Sequence, residues 1–370
     1  VEAVTSDTKS RTKHNSTSRQ IRGSSLMLVG RTISMVANFA IQVLIVRYLS
    51  KANYGAFAYA MSFVTLGQTI ATFGLDRAIT RFVPIYHERR DYNKMFGTIL
   101  LVIGTIVSLG TLMVLSAYAF QDVIGRTLLN ENEGDKAQVI ALLLILIGLA
   151  PVQALDDLIA AMFAIFASPR AIFFRKYILS PGLKLSVVLL LMLFGSDEFF
   201  LASGYLAAGI LGTTVYGFTL FRTLQKQQLF KELHFKSLTV PARELFAFTI
   251  PLLTSDLVYV LMSSSDAVLL GHFKSTSDVA AFRAILPSAV LNQFVLQSFT
   301  ILFTPIASRL FARDDYEGIN NLYWQTAVWT SVLSFPIFAL TFSMANPLTV
   351  ILYGQKYASS AVLLALLSFG

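Results

Sequence analysis

The chain has 370 residues, 55% of them hydrophobic and 14% charged, with a mean hydropathy of +0.64 and a formal net charge of +8. Soluble domains carry about 25% charged residues, so this composition excludes an ordinary soluble fold. The chain has no cysteine and four scattered histidines, which excludes thiolate catalysis and argues against a metal site. Its basic residues lie mostly in loops between apolar stretches, and this placement favours membrane topology over a nucleic-acid partner.

Residues 1–23 are polar, rich in Ser, Thr, Lys and Arg, and lack the apolar run of a cleavable signal. We predict that this segment is a disordered cytoplasmic tail. Apolar stretches then follow to the end of the chain, and about 20 apolar residues suffice for a helix to cross a bilayer. The predicted spans are 24–46, 54–75, 95–120, 137–165, 177–195, 199–221, 245–271, 279–304, 322–350 and the start of one at 358.

The loops between these spans differ strongly in charge. Alternate loops and the tail hold 20 Lys and Arg residues, the 76–94 and 222–244 segments five each, whereas the opposite loops hold six. Positive charge accumulates on the cytoplasmic side of membrane proteins. We therefore expect a multi-pass protein of the cytoplasmic membrane, with the N-terminus and 222–244 inside and the acidic 121–136 loop outside.

The two halves of the chain resemble each other. Val43–Ala60 aligns without gaps with Val268–Ile285 at an offset of 225, and five positions are identical. The alternative is chance similarity between apolar helices. Six spans lie within the offset, so both halves insert in the same orientation, an arrangement found in transporters with parallel repeats.

The repeat predicts an all-α polytopic membrane protein with two six-helix bundles related by a pseudo-two-fold axis along the membrane normal. We predict an N-terminal bundle at 24–221, a cytoplasmic linker at 222–244 and a C-terminal bundle at 245–370. A second bundle of equal length would extend past residue 370, so we expect the second bundle to be incomplete here.

Several short motifs are similar to those of a known family: Arg47-Tyr48-Leu49-Ser50, Tyr54-Gly55-Ala56-Phe57-Ala58-Tyr59-Ala60, Gly74-Leu75-Asp76-Arg77-Ala78, Arg81-Phe82-Val83-Pro84 and Asp266-Ala267-Val268-Leu269-Leu270-Gly271. They resemble the polysaccharide (O-antigen, Wzx-type) flippases of the multidrug/oligosaccharidyl-lipid/polysaccharide (MOP) exporter superfamily. The resemblance implies a MATE-like fold, 12 to 14 spans, and a polyprenyl-diphosphate-linked glycan as cargo. It further implies the bilayer, and a glycan polymerase or glycosyltransferases, as partners, with no nucleic acid.

Few charged residues fall inside the predicted spans, and each is costly there unless it is paired or hydrated. Arg31 shares a helical face with Asn38 and Gln42, and we expect this face to bind diphosphate or sugar-acid oxygens. The alternative is an Arg31 that extends to the headgroups or pairs with a nearby carboxylate. Lys184 and Arg283 are the other basic candidates for substrate binding.

Four aspartates lie at span depth. Asp156 and Asp157 are adjacent in the fourth span, and we expect one to face the lumen and the other a helix interface. They either pair with Arg31 or Lys184 or couple transport to H⁺ or Na⁺. Asp256, near the middle of the seventh span, is the better candidate for ion coupling. Asp266 is a candidate for a structural ion pair with Arg283. No cofactor, metal ligand or catalytic residue is predicted.

The sequence is compatible with three functions. The leading hypothesis is flipping of a lipid-linked oligosaccharide, and the first alternative is a cation-coupled multidrug exporter of the same superfamily. The distant alternative is a membrane enzyme such as a polysaccharide polymerase. Such an enzyme needs a catalytic loop or an acidic motif at a membrane face. No predicted loop exceeds about 23 residues or carries a DxD-like or HxxxH-like cluster, so we expect a transporter and not an enzyme.

Overall fold

The computed structural model describes residues 29–128, 136–166, 173–232 and 238–369. All regular structure in these ranges is helical, and nine helices or helix pairs in them are long and apolar enough to span a membrane. The predicted tail at 1–23 lies outside the described residues. The helices are α1 Val29–Tyr48, α2 Lys51–Thr72, α3 Leu75–Glu88, α4 Tyr92–Ala119, α5 Gln121–Leu128, α6 Lys136–Ile147, α7 Leu149–Phe166, α8 Ser180–Phe194, α9 Glu198–Lys226, α10 Ala242–Phe273, α11 Thr276–Ala289, α12 Leu291–Phe311, α13 Tyr316–Ser343, α14 Ala345–Tyr353 and α15 Ala361–Leu367.

The prediction of a loop over 76–94 was wrong for most of its length, because α3 occupies Leu75–Glu88. This helix is amphipathic: its buried residues follow a helical period, and its charged residues lie on the other face. The buried set is Leu75, Ala78, Ile79, Phe82, Val83 and Tyr86. Gly74 separates α2 from α3 with φ +66°, a conformation that glycine adopts without strain. The high charge density of this segment therefore marks one face of a helix and not a loop.

Three predicted spans are each divided in the structure. The 137–165 span breaks at Gly148 into α6 and α7. The 279–304 span breaks after Ala289 into α11 and α12, and α12 continues to Phe311. The 322–350 span ends at Ser343, where the short α14 begins. The predicted outer loop at 121–136 contains α5. The break after Ala289 falls between apolar residues, so hydropathy alone does not reveal it.

The chain forms two compact units. The first contains the described residues up to Ile41 and Ala56–Ser275, and the second contains Gln42–Gly55 and the residues from Thr276 onward. This division places α10 with the first unit, whereas the sequence places it in the C-terminal bundle. The boundary at 222–244 therefore stays a prediction.

The internal repeat recurs in the bounds of the helices. The break between α1 and α2 (48 to 51) recurs 225 residues later between α10 and α11 (273 to 276). Helices α4 and α13 are both 28 residues long and begin at equivalent positions, Tyr92 and Tyr316. The two halves therefore share their order of helices and breaks, while the symmetry axis stays a prediction.

The residues that begin α4 and α13 repeat in detail. Asp91 and Asp315 are the N-caps, and each side chain accepts a hydrogen bond from the backbone N–H three residues later. The residue before each cap has positive φ, 56° at Arg90 and 53° at Asp314. Equivalent local sequences thus produce equivalent helix starts, which chance similarity between apolar stretches does not explain.

Two basic residues of the second unit connect helix ends. Arg47 donates from Nε to the Leu352 carbonyl at 3.0 Å and from Nη2 to the Ile351 carbonyl, near the end of α14. Lys356 donates from Nζ to the carbonyls of Arg47 and Leu49, at the end of α1. Cations are favourable at helix C-termini because the last carbonyls lack helical donors. These two residues therefore stabilise the second unit.

Candidate functional site

The first unit contains a polar cavity of about 220 Å³, which we call the α7–α9 cavity. Its lining comes from α2, α7, α8, α9 and the turn before α8. Four charged side chains line it: Asp156, Asp157, Arg175 and Lys184. Charged groups at span depth are costly unless they are paired or hydrated. This cavity is therefore the candidate functional site.

Arg175 reaches the cavity from a π-helical turn, Phe174–Leu179, that directly precedes α8. The Ser180 N–H donates to the Arg175 carbonyl, five residues back. The next residue, Pro181, has no N–H and therefore cannot donate the α-helical hydrogen bond to the carbonyl four residues back. Such single π turns are frequent at functional sites. Here the turn fixes the direction of Arg175.

The Arg175 side chain is only 8% exposed and forms an ion pair with Asp156 through Nη2. Its guanidinium carbon lies 5.1 Å from the centroid of the Tyr216 ring. Gly212 on α9 allows this approach, because a Cβ there would lie 3.0 Å from Arg175 Nη2. The pair is thus enclosed by α7, α9 and the π turn.

A second cavity of about 210 Å³, the α3–α10 cavity, lies beside the first and shares Gln68 and Asp157 with it. Gln68 Nε2 donates to Asp157 Oδ2 at 2.6 Å where the two cavities meet. Asp76 also lines the second cavity. Together the two cavities form a continuous polar region within the first unit.

The second cavity contains an ion pair between α3 and α10. Arg77 Nη2 lies 2.5 Å from Asp256 Oδ1, and the two side chains are 45% and 27% exposed. The neighbouring Gly74 backs onto α10, where a Cβ would lie 3.3 Å from the Thr249 carbonyl oxygen. Arg77 thus reaches Asp256 because α3 begins at a close contact with α10.

The structure brings together four of the predicted site residues. Asp156, Asp157 and Lys184 line the α7–α9 cavity, and Asp256 lines the α3–α10 cavity. Asp156 and Asp157 both line the α7–α9 cavity, and only Asp157 also lines the α3–α10 cavity, so the expectation that one faces the lumen and the other a helix interface stays a prediction. Asp156 pairs with Arg175, whereas the expected partners were Arg31 or Lys184. Lys184 Nζ lies 5.8 Å from the Tyr205 ring centroid.

The other predicted site residues lie elsewhere. Arg31 is exposed on α1 and lines neither cavity, and Asn38 donates to the Ser34 carbonyl of its own helix at 2.7 Å. Gln42 donates to the Arg283 carbonyl in the second unit. Asp266 accepts a hydrogen bond from the Ala267 N–H, and its pairing with Arg283 stays a prediction.

Four residues of this polar region were missed at the sequence level: Gln68, Asp76, Arg77 and Arg175. Asp76, Arg77 and Arg175 lie where charged residues are dense, and each was therefore assigned to a loop. Pro181 was the available signal for Arg175, since a proline near a helix start changes the preceding hydrogen bonds. Gln68 gave no signal beyond being a polar residue within a span.

The comparison with protein families matches residues 21–311 to the family described as polysaccharide biosynthesis protein. This match covers well over half of the chain. The chain belongs to this family. It is an all-helical, multi-pass membrane protein of this family, as the sequence predicted. No curated protein matches the chain.

Several solved structures share the fold of this protein. A MATE crystal structure in the straight conformation is 13% identical, with a TM-score of 0.58 over 95% of this chain and 79% of that one. The lipid II flippase MurJ, in an inward closed conformation, is 15% identical, with a TM-score of 0.61 over 93% and 70%. An outward-facing multidrug resistance MATE family transporter of the MOP superfamily is 12% identical, with a TM-score of 0.51 over 95% and 79%. The predicted all-helical, MATE-like fold is thus confirmed.

Proposed function

We propose that the protein exports a lipid-diphosphate-linked oligosaccharide across the cytoplasmic membrane by alternating access, for assembly of a surface polysaccharide or another glycan. Its family is defined by polysaccharide biosynthesis. One structure with the same fold is a lipid II flippase. A glycan polymerase or glycosyltransferases are the proposed partners, and the N-terminus is proposed to be cytoplasmic.

The observation that carries this proposal is the charged polar region within the helices of the first unit. Seven charged side chains line the two cavities: Asp76, Arg77, Asp156, Asp157, Arg175, Lys184 and Asp256. A membrane protein bears this cost where a polar substrate or ion must be accommodated. A diphosphate-linked sugar is polar and anionic, and arginine binds phosphate oxygens with two parallel N–H groups.

The sequence-based roles stay part of the proposal. Arg31, Asn38, Gln42, Lys184 and Arg283 are proposed to contact the diphosphate or the sugar. Asp156, Asp157 and Asp256 are the proposed sites of H⁺ or Na⁺ coupling. Asp157 is favoured, because its hydrogen bond comes from the neutral Gln68, while each of the other two is paired with an arginine.

A second candidate is a cation-coupled multidrug exporter. Four carboxylates and three basic groups line the two cavities, so the lining carries a small negative excess that suits a cation. The fold shared with MATE transporters is compatible with this alternative.

Reconstitution into proteoliposomes distinguishes the two. We expect a fluorescent polyprenyl-diphosphate-linked oligosaccharide to move between leaflets, with a pH or Na⁺ gradient accelerating its movement, and ethidium to remain in place. An impermeant glycosidase measures the accessible glycan. Ethidium transport without glycan movement above protein-free liposomes would replace the first proposal with the second.

Arg31 is tested in the same assay. Arg31→Ala is expected to insert normally but to lose glycan movement, and Arg31→Lys to retain part of it, because lysine keeps the charge but not the planar fork. A loss of protein abundance in proportion to transport would instead make Arg31 structural.

A further inference from the structure

The guanidinium of Arg175 is buried, and most of its N–H donors find no acceptor among the residues that the structure describes. An arginine carries five N–H donors in a fixed plane. The structure shows one hydrogen bond from Arg175, made by Nη2 to Asp156. Its Nε is buried and has no hydrogen-bond partner among the described residues. Buried polar groups are almost always satisfied. The donors of Arg175 that find no acceptor among the described residues therefore indicate a further acceptor, such as a ligand oxygen.

The surroundings of Arg175 hold it at one wall of the α7–α9 cavity. The π turn sets the direction of the side chain, Asp156 fixes one nitrogen, and the Tyr216 ring lies 5.1 Å from the guanidinium carbon. A guanidinium held in this way loses little conformational entropy when it binds a ligand. Preorganisation of this kind is typical of a binding residue.

A second cation lines the same cavity. Lys184 follows Arg175 by nine residues and lies in the first turns of α8. Arg175 and Lys184 face a single carboxylate, Asp156, at this end, since Asp157 is held by Gln68 at the junction with the other cavity. Arg175, Lys184 and Asp156 together therefore carry a net charge of +1, and Asp157, which the two cavities share, brings the lining of the α7–α9 cavity to neutral.

We infer that Arg175 and Lys184 form an oxyanion-binding subsite in the α7–α9 cavity, with Asp156 as the residue that positions Arg175. The inference rests on the proposed function and deepens it, because it assigns the acidic part of the cargo to this cavity. The oxyanion has two sources in such a cargo: the diphosphate that joins lipid and sugar, or a carboxylate on an acidic sugar.

The subsite is tested by thermal unfolding of the whole protein in nanodiscs, since a ligand that binds the folded state raises the unfolding temperature. The probes are farnesyl diphosphate, compared with farnesol, and glucuronate, compared with glucose. We expect at least one anionic probe to raise the unfolding midpoint more than its neutral counterpart does. The anion that does so identifies the source.

Three variants assign the effect to residues. Arg175→Gln combined with Asp156→Asn removes both charges together, so no buried charge is left unpaired, and it should abolish the shift. Lys184→Gln should weaken the shift, and Asp156→Asn alone should weaken it less. The matched control is Arg222→Ala on α9, because Arg222 is exposed, lines neither cavity and stacks on Phe218 of its own helix; it should retain the shift.

Two outcomes separate this inference from the proposed function. If the wild-type protein moves the lipid-linked glycan and the paired Arg175/Asp156 variant does so equally well, with equal anion shifts, the subsite is wrong and the proposed function stands. If the rise in the unfolding midpoint with an anionic probe depends on Arg175 but no glycan moves, the subsite stands and the proposed cargo is wrong. Equal shifts with anionic and neutral probes overturn the inference.

Discussion

Gln42 supplies the hydrogen bond that a proline removes from Arg283. Its Nε2 donates to the Arg283 carbonyl oxygen at 3.0 Å. In an unbroken helix that carbonyl accepts from the N–H four residues later, and that residue is Pro287, which has none. Gln42 also donates to Tyr54 Oη at 3.2 Å. A polar residue of α1 thereby compensates for the proline in α11 within the second unit.

The first prediction is a double-mutant cycle on this contact. Gln42→Met removes this hydrogen bond to the Arg283 carbonyl and should lower the free energy of unfolding by about 1–3 kcal/mol. In a Pro287→Ala background the same change should cost much less, because alanine has the backbone N–H that proline lacks and can donate it to this carbonyl. Thermal unfolding in detergent measures all four proteins.

Asn38→Ala is the matched control, since Asn38 bonds to its own helix, and should be nearly neutral. An equal cost of Gln42→Met in both backgrounds would contradict this role. A transport defect with unchanged stability would instead favour the predicted contact between Gln42 and the substrate.

The sequence revealed the spans because the length of an apolar helix is set by the bilayer. It also revealed Asp156, Asp157, Asp256 and Lys184, because a charge inside an apolar run stands out. It did not reveal their partners: Arg77 and Arg175 lie among other charges near the ends of spans. Pairing between helices depends on tertiary packing, and a single sequence carries little information about it.

The second prediction concerns two buried tyrosines outside the nine candidate spans. Tyr353 Oη lies 2.5 Å from Ser288 Oγ, whereas Tyr357 Oη has no hydrogen-bond partner among the described residues. Tyr353→Phe should therefore destabilise the protein by about 1–2 kcal/mol at pH 7, because it leaves Ser288 unpaired. Tyr357→Phe should be neutral or stabilising.

Alkaline pH tests the same residues. Burial raises the pKa of Tyr357 and of Tyr353. An unfolded tyrosine ionises near pH 10, so above about pH 10 the unfolded state binds fewer protons than the folded state and stability falls. Thermal unfolding from pH 8 to 11 should show a shallower decline in Tyr357→Phe than in the wild type. An equal decline in the two proteins would show that Tyr357 ionises as readily in the folded protein as in the unfolded one.

The third prediction is the orientation in the membrane. The chain lacks cysteine, so single cysteines can be introduced without a background. Asn132→Cys, in the predicted outer loop, should react with an impermeant maleimide on intact cells. Gln228→Cys, after α9, should react only after permeabilisation. The reverse pattern would invert the predicted topology.

The fourth prediction concerns Arg77 and Asp256. Both side chains are partly hydrated, so the pair should contribute no more than about 1 kcal/mol to stability. We expect Arg77→Ala and Asp256→Ala each to reduce transport, because each leaves one charge unpaired in the α3–α10 cavity. The exchanged variant, Arg77→Asp with Asp256→Arg, should recover most of the activity if the pair is needed only to hold α3 against α10. If the exchanged variant does not transport although its abundance is normal, Asp256 is favoured as the residue that couples transport to an ion.

The last prediction separates the three candidate coupling carboxylates. Asp156 and Asp256 are each neutralised by an arginine, whereas Asp157 accepts its hydrogen bond from the uncharged Gln68. Asp157 also lines both cavities, so an ion bound there is accessible from either one. A carboxylate without a fixed cation is best suited to bind H⁺ or Na⁺ in exchange, because no ion pair must first be broken.

Asp157→Asn should therefore abolish the dependence of glycan movement on the gradient while leaving movement without a gradient measurable. Asp122→Asn, on the exposed surface of α5, is the control and should keep the full dependence. If Asp157→Asn keeps its gradient dependence and Asp256→Asn loses it, coupling depends on the carboxylate that opposes Arg77.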